Sequence, residues 1–305
     1  MRLRPMRAGS PTRRAWRRFL RHRMGVASLV LLSLIFVASL LAPLLAQWRG
    51  IDSTNADLLA RLEPPSARYW LGTDDLGRDV LQRLLEGGRV SMLVALVAAI
   101  LSAAIGAVIG VVSGYVGGRL DAAIMRVTDM VIALPLLPLL IVLAAIDVRK
   151  LGIPADTAQS EMMSLYRIVV IVALTGWTGV ARLVRAETLS LKARDFVRAA
   201  RALGASPTRQ MFRHILPNTA ASLIVATTLS IGGIVLMESV LSFLGLGIQP
   251  PHASWGNMLT GAQELVWTAP LLAVWPGLAI FLTVIAFNFL GDALQDALDP
   301  RAERR

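Results

Sequence analysis

Three stretches of this chain carry no charged side chain over more than the width of a bilayer: Met24 to Ala46, Val90 to Gly118 and Leu265 to Gly291. A helix needs about 20 apolar residues to cross the hydrocarbon. Backbone in lipid must satisfy every N–H and C=O within itself, so each run folds as a helix. Weaker apolar runs bring the expected spans to six, at 24–46, 89–116, 124–146, 163–185, 219–243 and 268–290. Arg126 and Asp129 interrupt the third, and Arg167 begins the fourth. The composition agrees, with 55% hydrophobic and 17% charged residues, which a soluble domain rarely shows. The expected fold class is an all-α integral membrane protein with six transmembrane helices.

Charge then orients the spans. Residues 1–23 hold nine arginines and no acid, which places this tail in the cytoplasm. An even number of spans returns the C-terminus to the same side. Between the fourth and fifth spans, Arg182, Arg185, Lys192, Arg194, Arg198, Arg201, Arg209 and Arg213 face only Glu187 and Asp195. The segment 48–88 is acidic on balance, and 245–265 holds Glu264 and no Lys or Arg. Both suit the outer side. The net charge of +11 thus flanks membrane spans, so the partner it implies is lipid and not nucleic acid. The Arg-rich start and first apolar run imitate a signal peptide, but that run exceeds the roughly 7–15 residues of a cleaved one. It reads as a retained span. Without cysteine, the chain has no disulfide, thiolate nucleophile or Cys-based metal site. The expected organisation is a tail at 1–23, a first helix at 24–46, an external segment at 47–88, a five-helix core at 89–294 enclosing a cytoplasmic loop at 186–218, and a tail at 295–305.

The loop is strongly patterned. Asp195 to Ala202 reads as a helix, with an acid at its start and Ala199 and Ala200 inside. Gly204 suits a left-handed C-cap. Ser206 and Pro207 read as N-cap and first residue of a second short helix over Thr208 to Ile215. Leu216–Pro217 is expected to end that helix before the fifth span.

This arrangement resembles the cytoplasmic loop of ABC-transporter permeases: Glu-Ala-Ala, three residues, Gly, nine residues, an aliphatic position, one residue, Leu-Pro. Ala199, Ala200, Gly204, Leu216 and Pro217 match in spacing. Arg198 stands in place of the usual Glu, and His214 in place of the aliphatic residue. YWLGTDDLGRDVLQRLLEGGRVS (Tyr69 to Ser91), SFLGLGIQPPHASWGNML (Ser242 to Leu259) and FNFLGDALQDALDPR (Phe287 to Arg301) are similar to the permeases for dipeptides, oligopeptides and nickel. The resemblance therefore covers nearly the whole chain. It implies a type I ABC importer transmembrane domain in a bacterial inner membrane. Its partners would be two ABC ATPase subunits carrying ATP and Mg, a second homologous permease and an external substrate-binding protein. By the same resemblance Ala205 to Arg213, including Ser206, Pro207, Thr208 and Arg209, would be the helix that docks on the ATPase. Asp74, Asp75, Arg78, Asp79 and Arg83 would lie at the external mouth. Cargo could be peptides, nickel chelates or glutathione-like molecules.

The residues themselves agree that the motor is elsewhere. The only lysines, Lys150 and Lys192, sit in no GxxxxGK[ST] loop. No cofactor, catalytic residue or metal ligand set is expected in this chain; His22, His214 and His252 are scattered. An intramembrane enzyme would need a nucleophile with its base, or clustered ligands. No GxSxG, HExxH or paired intramembrane aspartates occur. An ion-gradient-driven secondary transporter is the alternative, though no inverted repeat is visible. Intramembrane ionisable groups are functional candidates. Arg126 and Asp129, three apart, can form an ion pair on one helix face, or else serve substrate. Glu238 either faces the pathway or holds a packing network. Gly106, Gly110 and Gly114 make a groove for close helix packing. Pro135 and Pro138 would kink the third span, and Trp255 reads as an interfacial anchor.

Overall fold

The computed structural model describes residues 11–51, 55–158 and 161–299. The outer parts of the two expected tails, 1–10 and 300–305, lie outside them. The described residues are helical, with one isolated β-bridge between Thr73 and Asp79. In chain order the helices are α1 (Pro11–Phe19), α2 (Arg23–Leu40), α3 (Ala42–Arg49), α4 (Val80–Val116), α5 (Gly118–Ala133), α6 (Leu136–Ala144) and α7 (Ala155–Ala158). They continue with α8 (Glu161–Leu191), α9 (Asp195–Ala202), α10 (Pro207–Arg209), α11 (Ala220–Phe243), α12 (Trp255–Gln263) and α13 (Leu271–Leu298). Five helical stretches are long and apolar enough to span a membrane, or six if α5 and α6 count as one broken span.

The centre of the bundle is the pair α4 and α8, and the three glycines explain why. A Cβ on Gly106 would lie 2.6 Å from the Trp177 carbonyl oxygen, and one on Gly110 2.5 Å from that of Ala181. One on Gly114 would meet the Arg185 carbonyl at 2.8 Å. Each four-residue step on α4 is matched by a four-residue step on α8, so the helices run parallel with backbones nearly touching. Without side chains between them, dispersion contacts form along the whole seam. Around this pair, Val94, Ala95 and Ala98 of α4, Ile168 and Val172 of α8, Ile234 and Val235 of α11 and Ile280 of α13 form the main core with Ile248 and Trp255.

The third span is broken, not kinked: α5 and α6 meet at 89°. Leu134, preceding Pro135, is extended (φ −74°, ψ 135°), as sterics with the proline ring demand. Pro135 then caps α6, where its missing N–H costs nothing. The first span also divides, with α2 ending at Leu40 and α3 carrying Pro43 in its first turn.

At the end where α4 begins, 55–79 folds into a polar cap. Asp79 accepts from the Gln82 N–H at 2.7 Å, capping α4, and pairs with Arg49 at 2.9 Å. The Arg49 guanidinium also donates to the Arg68 carbonyl and lies 4.8 Å over the Trp70 ring. Asp74 holds Arg78 at 2.8 Å and Arg83 at 3.4 Å. These ties fasten the end of α3 to the start of α4.

Candidate coupling site

The segment after α8 folds as its residues suggest. Helix α9 ends with Leu203 as C-cap, and Gly204 follows at φ +84°. In this left-handed turn the Gly204 N–H bonds the Arg201 carbonyl and the Ala205 N–H bonds the Ala200 carbonyl, each at 3.0 Å. That is a Schellman closure, which satisfies the last carbonyls of α9. Ser206 then caps α10, its Oγ accepting from the Arg209 N–H at 3.3 Å, with Pro207 in the first turn.

One face of this two-helix hairpin is buried. Val197, Met211 and Ile215 pack with Ala107 and Val111 of α4 and Val180 and Val184 of α8. Polar ties hold it at the end of α4. The buried Gln210 amide donates to the Ala205 carbonyl at 2.7 Å and accepts from the Tyr115 hydroxyl at 2.9 Å. Lys192 Nζ donates to the carbonyls of Gly114 at 2.9 Å and Tyr115 at 3.3 Å, two acceptors that the end of α4 leaves unpaired. The opposite face is open. Leu203 is 89% exposed at the tip, with Phe212 also exposed, and Arg201, Arg209 and Arg213 around them. The result is an apolar knob with a basic rim, rigidly tied to α4 and α8.

Of the singled-out residues, Arg198, Ala199, Gly204, Ser206, Pro207, Thr208, Arg209 and Pro217 are exposed, while Ala200, Ala205 and Leu216 are half-buried. Arg198 pairs with Asp195 at 2.8 Å on the open surface, where such a pair contributes at most about 1 kcal/mol. Leu216–Pro217 does not end the second helix, which corrects the expectation. Gln210–Ile215 winds as a π-helix, Leu216–Thr219 as a 3-10 turn, and the chain runs on into α11. The Leu216 N–H reaches back to the Met211 carbonyl; this wider winding accommodates a proline that would clash inside an α-helix. Tyr115, Gln210, Lys192 and Leu203 were not singled out by sequence. Only Leu203, apolar beside the capping glycine, carried a local signal.

The other candidates separate from this site. Asp129 pairs with Arg182 of α8, not with Arg126: a cross-helix guanidinium is closer than the one on its own helix. Asp121 likewise binds Arg185 of α8 by two bonds, at 2.5 and 2.6 Å. Glu238 is fully buried within this chain. The Ser242 hydroxyl donates to its Oε1 at 2.7 Å, and Ser91 and Ser254 lie close by, while the Ser239 hydroxyl donates to the Val235 carbonyl. The carboxyl is thus buried where α4, α11 and the start of α12 meet. Replacing Glu238 with alanine should lower the unfolding free energy by about 1–3 kcal/mol, since a buried side chain is removed and the Ser242 hydroxyl loses its acceptor. Thermal unfolding of the purified protein measures this; an unchanged midpoint would remove the packing role. Trp255 is not an interfacial anchor. It is 1% exposed in the main core, its indole N–H donating to the Leu84 carbonyl at 2.9 Å. The Ser254–Asn257 capping box starts α12 at that point and turns the ring inward.

Comparison with known proteins matches residues 106–304 to the family described as binding-protein-dependent transport system inner membrane component. Residues 10–65 match the N-terminal TM domain of oligopeptide transport permease C. A Brucella ovis protein with a peptide permease name is 42% identical over 295 residues, covering 96% of this chain and 92% of that protein. The glutathione transport system permease protein GsiD of Escherichia coli is 38% identical over 299 residues, covering 98% and 93%. A crystal structure of an amino acid ABC transporter with histidines aligns at TM-score 0.47 and 17% identity, covering 70% of this chain and 92% of that one, too distant a likeness to argue from.

Proposed function

We propose, from the premise that this chain belongs to the family of binding-protein-dependent transport system inner membrane components, that it conducts peptides inward and is driven through its α9–α10 hairpin by a separate ATPase. As a family member the chain is the multi-pass inner-membrane permease of an ABC transporter, with a type I importer transmembrane domain. The further reading is our own. The relatives' names favour a cargo of peptides, with glutathione-like tripeptides included. Ala205 to Arg213 would seat in a groove of an ATPase subunit, and two such subunits would supply ATP and Mg. A second, related permease would complete the pathway. The polar cap at 55–79 would face outward and meet the binding protein, leaving both termini in the cytoplasm.

The single observation behind this reading is the hairpin's division of labour. One face is locked into α4 and α8, and the other presents an apolar knob that no described residue covers. Such a part moves with the two central helices as a rigid body. A partner that closes on ATP would thereby favour one arrangement of the pathway over the other, provided it binds that arrangement more tightly.

The absence of cysteine supplies the test. A Thr208→Cys variant carries one thiol on the exposed side of α10. Crosslinking in native membranes, followed by mass spectrometry, should yield an adduct with an ATP-hydrolysing subunit. Efficient labelling that captures no ATPase would overturn the assignment and favour transport driven by an ion gradient.

A further inference from the structure

The first helix has no part in the transport reading, yet its placement is specific. Helix α1 reads PTRRAWRRF. Phe19 is 3% exposed and packs with Ala293 and Ala297 in the last turns of α13. The Arg18 guanidinium donates to the Asp299 carbonyl at 3.0 Å, and the following turn leads directly into the membrane span α2, whose N-cap is His22. Trp16 is 55% and Leu20 52% exposed, and Arg13, Arg14, Arg17 and Arg21 are exposed beside them.

Two observations set its depth. Helix α13 has 28 residues, about 42 Å at ~1.5 Å per residue, against a hydrocarbon thickness of about 30 Å. Its last turns, which carry Asp292, Gln295 and Asp296, must therefore stand in the headgroup layer, and Phe19 docks on those same turns. Met24, one residue into α2, begins the charge-free run. Both neighbours put α1 at the boundary between hydrocarbon and water.

At that depth the exposed residues have one fitting environment. Trp and Leu beside a basic arc, with no acid in the helix, suit a membrane interface bearing negative charge. From the end of α13, Asp296 lies 3.7 Å from His22, and the Asp299 carbonyl that follows the helix accepts from Arg18. Arg17 and Arg21 are exposed to the outside. We propose that α1 lies in the headgroup layer as a binding site for anionic phospholipid, with Trp16 and Leu20 dipping toward the acyl boundary and Arg17 and Arg21 holding the phosphates.

The full-length protein tests this. A Trp16→Cys variant is spin-labelled and reconstituted in vesicles of phosphatidylcholine with phosphatidylglycerol. Relaxation by oxygen should exceed relaxation by a water-soluble nickel chelate. In parallel, phosphatidylglycerol retained after mild delipidation is counted by native mass spectrometry. Replacing Arg17 and Arg21 with glutamine should weaken retention roughly 25-fold, from the known attraction of basic residues to an anionic leaflet. Replacing both with lysine should preserve it, which separates charge from folding. A label relaxed only by the water-soluble agent, or a glutamine double variant that keeps wild-type retention, would overturn the proposal.

Discussion

Replacing Gly110 with leucine should leave no stable folded protein, and replacing it with alanine should lower stability by about 1–3 kcal/mol. The reason is geometric. A Cβ at this position would lie 2.5 Å from the Ala181 carbonyl oxygen and 2.8 Å from the Val184 Cβ. Backbone cannot move aside as a flexible side chain can, so α4 and α8 would have to separate along the seam that organises the bundle. Interiors packed to crystal-like density transmit such a shift. It would propagate to Val111, Val180 and Val184, the residues on which the α9–α10 hairpin sits. Gly179, also on α8, is the control, because a Cβ there meets nothing within 4 Å. Gly179→Ala should leave the unfolding midpoint unchanged or raise it, since alanine is the better helix former. Thermal unfolding of the purified variants, read by size-exclusion chromatography, decides the matter. A Gly110→Leu protein with a wild-type midpoint would mean that α4 and α8 do not approach in this way.

A Leu203→Asp variant should fold and insert normally yet transport at less than about a tenth of the wild-type rate. Leu203 is 89% exposed, so this chain loses no internal packing. The loss is expected at the partner. A residue that acts as the hot spot of a docking surface carries about 2 kcal/mol or more of the association energy, near a 30-fold effect. Burying an unpaired carboxylate in its place adds a desolvation penalty. Substrate-stimulated ATP hydrolysis by the assembled importer should fall in parallel with uptake. Gly204→Val should give a similar phenotype by another route, because φ +84° is hostile to a β-branched residue. In that variant the Schellman closure fails and the tip is misaimed. Uptake and ATPase rates of Leu203→Asp within twofold of wild type would show that the hairpin tip is not the point of coupling.

Much of the candidate site was legible because its cues are local. Gly204, Ser206 and Pro207 specify a left-handed stop and a capped restart within four residues, and the structure has both. Leu216–Pro217 misled because proline is a strong stop only in an α-helix, and the π-helix before it is not signalled by residue type. The third span misled in degree. Pro135 predicts a bend, but how far α6 swings depends on what it packs against, which is Ile171 of α8 and Leu241 of α11.

The ionic partners were not legible at all. Asp129 has Arg126 one turn away along its own helix, yet it meets Arg182, 53 residues on. Trp255 looked interfacial by residue type, whereas its burial depends on α4, α8 and α11 converging around it.

The sequence by itself determined that the chain is a helical membrane protein, which apolar stretches form its long helices, and the glycine stop and capped restart between α9 and α10. Those outcomes follow from hydrogen-bond satisfaction in lipid and from backbone preferences within a few residues. Only the tertiary structure decided that α4 and α8 run parallel in contact, that Tyr115, Gln210 and Lys192 lock the hairpin to them, and that Glu238 is enclosed by serines from three elements. Those outcomes rest on side chains distant in sequence meeting across helices, and pairings of that kind depend on the packing of the whole bundle.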